Sequence, residues 1–161
     1  MLLRRRPVIH VRARLWTNLC DALWERTEGV HESGAFLLGH VDGPHRHVDD
    51  VVFYDDLDPH AYSTGVVVLH SSSFGPLWLR CREAGLQVVA DVHLHGGSAG
   101  QSRADRENPM IAQRGHMALI LPDFARAPIR PDRIGIFEYL GSHRWRELGF
   151  VRTKHHLRIG I

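Results

Sequence analysis

The sequence predicts a single-domain fold of the α/β or α+β class, in which helices flank one mixed β-sheet. Its 161 residues are enough for one domain with a real hydrophobic core. The composition, 43% hydrophobic and 24% charged, is that of an ordinary globular protein. Apolar stretches with helical spacing alternate with apolar stretches of strand length, and no linker or repeat divides residues 1–161.

Short apolar runs, many of them rich in β-branched residues, predict five to seven strands. Glycine, proline and aspartate separate several of these runs, as in the turn Asp42–Gly43–Pro44. The runs are residues 8–11, 34–40, 48–54, 65–69, 87–95, 116–121 and 134–140, and a turn at 141–143 leads into residues 144–148. Residues 55–63 are predicted to form a loop.

Two amphipathic helices are predicted between these strands, together with a short polar one. The first contains Leu15, Trp16, Leu19 and Leu23 at helical spacing and ends near Arg26. In the second, Leu77, Trp78, Cys81 and Ala84 line one side, Ser71–Ser73 form the cap and Gly85 ends the helix. A glycine-rich loop, Gly96–Gly100, precedes the polar helical region Ser102–Arg114.

Charge and composition exclude several classes of function. The net charge of +2 is no signature of nucleic-acid binding, and we expect the Arg4–Arg6 run to be a solvated terminus. No apolar stretch approaches the length of about 18 residues that spans a membrane, so we expect a cytoplasmic protein. Cys20 and Cys81 are expected to be buried thiols within helices, which argues against a disulfide framework, a zinc finger or a thiol hydrolase.

Two His-x-His pairs stand out among the 13 histidines. About one such pair is expected by chance at this composition, so the motif alone carries little weight. His93 and His95 lie at the end of a predicted buried strand, where side chains two residues apart share a face and two imidazoles can bind one ion. His45 and His47 lie in a predicted turn, where a solvated loop is the favoured interpretation.

Asp105 is the best third ligand for an ion held by His93 and His95. A catalytic zinc typically takes three protein ligands and leaves a fourth position for water. Asp105 follows the glycine-rich loop, from which it can turn back toward the histidine strand. Ser102 and Asp105 also form a Ser-x-x-Asp capping box, in which both would satisfy free backbone groups at the start of a helix. The two roles are compatible, and both stay open from the sequence.

These residues resemble the JAMM, or MPN-plus, metalloproteases, a family of deubiquitinating enzymes and prokaryotic relatives that act on ubiquitin-like proteins. The family pattern is a distant glutamate, then H-x-H, a short loop and S-x-x-D. Here it is similar to Glu32, His93–Leu94–His95 and Ser102–Arg103–Ala104–Asp105, with Gly39 seven positions after the glutamate. The family usually has Ser between the histidines and Pro after them, where this chain has Leu94 and Gly96. The loop from His95 to Ser102 is one residue shorter than usual.

The resemblance implies a JAMM/MPN, cytidine-deaminase-like architecture of prokaryotic type and a zinc metalloprotease or isopeptidase activity. It implies that His93, His95 and Asp105 bind one Zn²⁺ per chain, that Glu32 is the general base and that Ser102 stabilises the oxyanion. The expected partner is a ubiquitin-like protein or its conjugate, cleaved at its C-terminus for deconjugation or precursor maturation. E1-like or E2-like proteins of the same conjugation or antiphage system are further expected partners.

Other interpretations remain open from the sequence. The chain can be a non-catalytic MPN-type interaction scaffold, or an amidohydrolase of small substrates. A zinc deaminase expects H-x-E and a later P-C-x-x-C, which two isolated cysteines do not supply. We expect His31 to be a surface residue. A structural role is favoured over an outer-shell role at the metal for Asp91, Asn108 and His116.

Overall fold

The computed structural model describes residues 5–160, in which eight strands form one mixed sheet with helices packed against it. Arg4, the first residue of the predicted solvated run, lies outside the described residues, and Arg5 and Arg6 are exposed. The predicted fold class, a mixed α+β domain with a sheet flanked by helices, is confirmed.

The strand order places the middle of the chain at the centre of the sheet. From edge to edge the order is β7-β6-β5-β4-β2-β3-β1-β8. The pairs β1–β3, β1–β8 and β4–β5 are parallel, and the other pairs are antiparallel. The strands are β1 (Val8–Arg12), β2 (Gly34–Asp42), β3 (His45–Phe53), β4 (Gln87–Leu94), β5 (Met117–Leu121), β6 (Gly135–Gly141), β7 (Arg144–Glu147) and β8 (Leu157–Gly160).

Five α-helices lie between the strands of residues 5–160: α1 (Ala13–Thr27), α2 (Tyr54–Leu57), α3 (Phe74–Ala84), α4 (Arg103–Glu107) and α5 (Thr153–His156). Short 3₁₀ turns occupy Ser71–Ser73, Asp123–Ala125, Pro131–Arg133 and Phe150–Arg152. Gly85 ends α3 in the left-handed conformation, at φ 67°, as the sequence predicted. No helix in the described part of the chain is long and apolar enough to cross a membrane.

A helix packs on each face of the sheet, and each of these two helices has an apolar stripe that faces the sheet. Helix α1 packs its buried side chains, Trp16, Leu19 and Leu23 among them, on a core formed by one face of the sheet. On the other face, Phe36 and Leu38 of β2 pack with Leu77 of α3. A helix whose apolar residues recur at every third or fourth position buries one side, which explains why α1 and α3 could be predicted. Cys20 and Cys81 are buried free thiols, as predicted.

Several predictions about individual segments are wrong. Residues 65–69 form no strand, because Val67 and Leu69 pack on the second core while the segment pairs with no strand of the sheet. Trp78 is 46% exposed and Ala84 is also exposed, so only Leu77 and Cys81 form the buried side of α3. The Ser71–Ser73 segment is a 3₁₀ turn without a side-chain cap.

Three further segments differ from the prediction. His45 and His47 begin strand β3 and do not lie in a turn, because the turn after β2 occupies only Gly43 and Pro44. The predicted loop 55–63 begins inside the short helix α2. Helix α5 and strand β8 were not predicted. Strand β8 brings the total within residues 5–160 to eight, where five to seven were expected.

The register between β2 and β4 positions the residues singled out by the sequence. Gly34, the first residue of β2, pairs with His93 near the end of antiparallel β4. The amide of Leu94 donates to the carbonyl of Ser33 at 3.0 Å, which extends the pairing beyond β2. The segment just before β2, which contains Glu32, therefore lies beside the end of the histidine strand.

Gly39 is expected to be indispensable for the pairing of β2 with β3. The register shifts between Leu38 and Gly39, and a Cβ at Gly39 would overlap the carbonyl oxygen of His47. Gly39→Ala should lower the free energy of unfolding by about 2 kcal/mol, as overpacking typically does, measured by urea denaturation. Gly97→Ala is the matched control, since a Cβ there meets nothing within 4 Å. Equal stability of the two variants would contradict the prediction.

Candidate metal centre

The two histidines of the predicted site converge at the end of β4. His93 lies in β4 and His95 follows its last residue, so their side chains leave the strand on the same side. Their Nε2 atoms are 3.1 Å apart. The side chain of His93 is 9% exposed and that of His95 14%. The amide of His95 donates to the carbonyl of Leu121 at 3.0 Å, which fixes the backbone next to β5.

The carboxylate of Asp105 faces both imidazoles. Its Oδ1 lies 3.2 Å from Nε2 of His93, and its Oδ2 lies 3.3 Å from Nε2 of His95. Burial alone would raise the pKa of Asp105, but hydrogen bonds from His93 and His95 outweigh burial and hold it well below its usual range. The hydrogen bond to Asp105 raises the pKa of His95.

Asp105 is at the same time part of the capping box that the sequence allowed. Ser102 is the N-cap of α4, and its Oγ accepts a hydrogen bond from the Asp105 amide at 3.1 Å. The Ser102 amide donates to Oδ2 of Asp105 at 2.6 Å. The capping role left open by the sequence is therefore present: the cap orients the carboxylate, and its two oxygens remain directed at the histidines, which is compatible with the role of a metal ligand.

Glu32, in the segment just before β2, lies close to the same group. Its Oε1 lies 3.9 Å from Nε2 of His95, and its side chain is 23% exposed. The Glu32 amide donates to the carbonyl of Gly65 at 3.0 Å. Burial is the main cause that raises the pKa of Glu32, while the two histidines and the amide of Val67 act in the opposite direction.

Residues 61–69, which were predicted partly as a strand, form a support for Glu32. Besides the contact with Gly65, the Tyr62 hydroxyl donates to the carbonyl of Gly34 at 3.1 Å and lies 3.2 Å from Oδ1 of Asp55. Asp55 in turn pairs with Arg26 of α1 at 2.9 Å. The position of Glu32 thus depends on contacts between distant parts of the chain, and no sequence motif signals them.

Phe124 is a second residue of the site that sequence reasoning missed. The Phe124 amide donates to the carbonyl of His95 at 2.9 Å, and the Asp123 amide donates to that of Gly97 at 3.0 Å. A Cβ on Gly96 would lie 2.8 Å from Cζ of Phe124, so the ring occupies the space that a side chain at this position would need. The absence of a side chain at Gly96 therefore makes room for the ring of Phe124.

The residues expected to be structural have partners of their own. His116 and Asp91 are buried and 2.5 Å apart, and the Tyr54 hydroxyl lies 3.4 Å from Asp91. Asn108 follows α4 and donates to the carbonyl of Ala104. His31, predicted to be a surface residue, is half-buried. Its ring stacks on Tyr62, and its Nδ1 lies 2.8 Å from the carbonyl oxygen of Glu32. His31 therefore packs on the segment that supports Glu32.

His93, His95 and Asp105 can hold a metal ion. Their ligand atoms all lie within 4.8 Å of one another, and within residues 5–160 they are the one group of three or more such residues that meets this condition. Two imidazole nitrogens and one carboxylate oxygen form a donor set typical of zinc in hydrolytic enzymes, with a further position open to water. The sequence predicted all three candidate ligands, and the geometry brings all three together with Glu32.

Comparison with known proteins adds evidence on the fold alone. No model of a known protein family matches this chain. A solution structure of a protein from Desulfitobacterium hafniense is similar, with a TM-score of 0.61 and 16% identity over 87% of this chain and 89% of that one. A solution structure of a protein from Salinibacter ruber has a TM-score of 0.57 and 17% identity over 86% of this chain and 87% of that one.

Asp105→Asn should separate the two roles of this side chain. The amide oxygen can still accept a capping hydrogen bond, whereas the charge opposite the ion is lost. Outer-shell partners of metal ligands are worth about 10- to 100-fold in affinity, so the loss of a charged ligand should cost at least as much. We expect the parent chain to bind close to one zinc and the variant to bind it far more weakly, measured by elemental analysis after dialysis. Glu107→Gln, which alters an exposed ion pair on the same helix, is the matched control.

Proposed function

We propose that this protein is a zinc-dependent hydrolase that cleaves a peptide or isopeptide bond at the C-terminus of a ubiquitin-like protein. The observation that carries the proposal is the convergence of His93, His95 and Asp105 with the carboxylate of Glu32, 3.9 Å from His95. A three-ligand centre beside a free carboxylate is the arrangement that amide hydrolysis needs. A protein that used this surface only for docking would not need such a centre.

The residues at the centre fit zinc by their chemistry. His93, His95 and Asp105 would hold the ion, and Asp105 would neutralise part of its charge. When bound, zinc supplies a Lewis acid that acidifies water and polarises the carbonyl of the scissile bond. Glu32 has no arginine or lysine partner among its hydrogen bonds and ion pairs in the described structure. Its carboxylate is therefore placed to accept a proton from water and to pass it to the leaving amine.

Ser102 is proposed to assist the reaction through its hydroxyl. Its Oγ already accepts a hydrogen bond from the Asp105 amide, which leaves the hydroxyl proton available for another acceptor. A single donor to a developing oxyanion is typically worth about 3 kcal/mol. Ser102 should therefore accelerate the reaction without being indispensable, whereas Glu32 should be essential.

The surface beside Glu32 supports a protein substrate. Gly65, which binds the Glu32 amide, is followed by Val66 and Val68, whose side chains are 51% and 40% exposed. Exposed apolar side chains next to a reactive centre favour the docking of a folded partner. In the glycine-rich loop, a Cβ at Gly97 or Gly100 would meet nothing within 4 Å, so an extended glycine-rich tail can approach the backbone closely there.

The proposal includes a JAMM/MPN architecture of prokaryotic type and a cytoplasmic role in deconjugation or precursor maturation. E1-like and E2-like proteins of a conjugation or antiphage system would be the natural associates of such an enzyme. The order of the motif, a glutamate before β2, histidines at the end of β4 and a capped Asp105 after the glycine loop, supports this assignment. A metal-free scaffold is the alternative, and zinc content with turnover distinguishes the two.

Glu32→Gln should abolish cleavage while zinc binding and folding persist. The amide is nearly isosteric with the carboxylate but accepts no proton at neutral pH, so turnover of a ubiquitin-like fusion should fall by at least about 100-fold. Cleavage followed by mass spectrometry, with zinc content and thermal unfolding on the same samples, measures this. Glu28→Gln is the control, since Glu28 is exposed at the end of α1. A variant within a few-fold of the parent would show that another group accepts the proton.

A folded modifier should be cleaved far faster than its isolated tail. A short glycine-ending tail has few side chains, so the binding energy that orders it must come from the modifier docking elsewhere on the surface. We expect the fusion to be cleaved at least about 100-fold faster than a peptide of the same tail sequence at equal concentration. Equal rates would indicate a general peptidase, or an amidohydrolase of small substrates, at the same centre.

A further inference from the structure

A second cluster of imidazoles lies at the other end of β2 from Glu32. His40 of β2 pairs directly with His47 of β3, and His47 pairs with His10 of β1. The three side chains therefore form a row across adjacent strands. His45, two residues before His47, lies on the same face of β3. None of these residues takes part in the centre proposed above.

The rings of this row are in close contact. The rings of His40 and His47 stack with centroids 4.8 Å apart and an angle of 11°, and those of His47 and His10 stack at 4.8 Å and 14°. Nε2 of His10 lies 2.9 Å from Nδ1 of His45. Nδ1 of His40 lies 2.7 Å from Oδ2 of Asp49, and this contact fixes the His40 ring. All four rings are thus packed against an imidazole or a carboxylate.

Burial and the neighbouring charges both act on His10. Burial, His47, His45 and Arg158 all lower the pKa of His10. Asp49 is the carboxylate next to the row, and Arg158, on β8, is the charge that opposes a cation.

We propose that His10 and His45 form a second metal site, which takes a late first-row transition-metal ion such as Zn²⁺, Ni²⁺ or Cu²⁺. Two imidazole nitrogens bound to one ion at about 2.0–2.1 Å lie about 2.9–3.4 Å apart. Nε2 of His10 and Nδ1 of His45 are 2.9 Å apart in a hydrogen bond between the rings, which is at the lower end of this range, so an ion that replaces the shared proton needs only a small movement of the rings. This inference is independent of the proposed hydrolase function.

The site differs from the first one in its number of close ligands. Within residues 5–160 only the group at His93 has three ligand atoms within 4.8 Å, so the second site is a two-nitrogen chelate in the present ring positions. His47 is the nearest further imidazole. A cavity of about 500 Å³ borders His10, His40, His47, Asp49 and Arg158 and leaves room for waters on the His10 side of the pair, whereas His45 does not line it. Binding at this site should therefore be the weaker of the two.

Calorimetric titration of Zn²⁺ into the full-length, tag-free and metal-stripped chain tests the proposal. We expect two binding steps, and His10→Gln or His45→Gln should weaken only the second, by about tenfold or more. Asp105→Asn should remove only the first step. His143→Gln, at an exposed histidine outside the row, should leave both unchanged. A parent chain in which no binding step is weakened by His10→Gln or His45→Gln overturns the proposal.

The parent chain alone provides a second test if a variant fails to fold. One equivalent of Cu²⁺ added to the chain loaded with a single equivalent of zinc should broaden the ring resonances of His10 and His45 before those of His143. Uniform broadening of exposed histidines, or none in the row, contradicts the site. Loss of the first calorimetric step without loss of the second would argue against the hydrolase while leaving the second site intact.

Discussion

The carboxylate of Asp105 is the group on which the geometry of the candidate centre depends. A partly buried carboxylate is stable only if its charge is compensated by hydrogen-bond donors or cations. Here the Ser102 amide and two imidazoles surround it, at 2.6, 3.2 and 3.3 Å. Their combined effect keeps its pKa well below the usual range despite burial. The same contacts fix the start of α4 and the orientation of both histidines, so cap and centre form one unit.

Two glycines near the ends of β2 and β4 let aromatic rings pack directly on the backbone next to the candidate centre. Gly34 begins β2 opposite His93, and a Cβ there would overlap the ring of Tyr54. Gly96 follows His95, and a Cβ there would press on the ring of Phe124. In both places a ring lies over the backbone where a side chain would otherwise project. Close approach of this kind lets rigid, buried groups position the segments that carry Glu32 and His95.

Regular periodicity made much of the fold predictable, and short motifs made most of the site predictable. Strands β2, β4, β5 and β6 are largely buried on both faces, so each appears in the sequence as a nearly continuous apolar run. Such a run is a local pattern, and it is enough to predict the strand. Residues 65–69 have the same β-rich composition, but they pack on a core without a partner strand, which no local pattern reveals. Phe124 and Tyr62 act through contacts with residues far away in sequence, and their own neighbours contain no signal of that role.

The two His-x-His pairs show why the motif by itself does not determine a metal centre. In both pairs the side chains share one face of a strand. His93 and His95 turn their Nε2 atoms to within 3.1 Å, because the chain continues past the end of β4 and Asp105 draws both rings together. The rings of His45 and His47 stay 6.3 Å apart, because His10 of the neighbouring strand stacks on His47 and bonds to His45. At the first pair the third group, Asp105, comes from the first turn of helix α4 and faces both rings, whereas at the second pair it comes from an adjacent strand and contacts each ring separately. The source of the third group, more than the spacing of the first two, determines what each pair can bind.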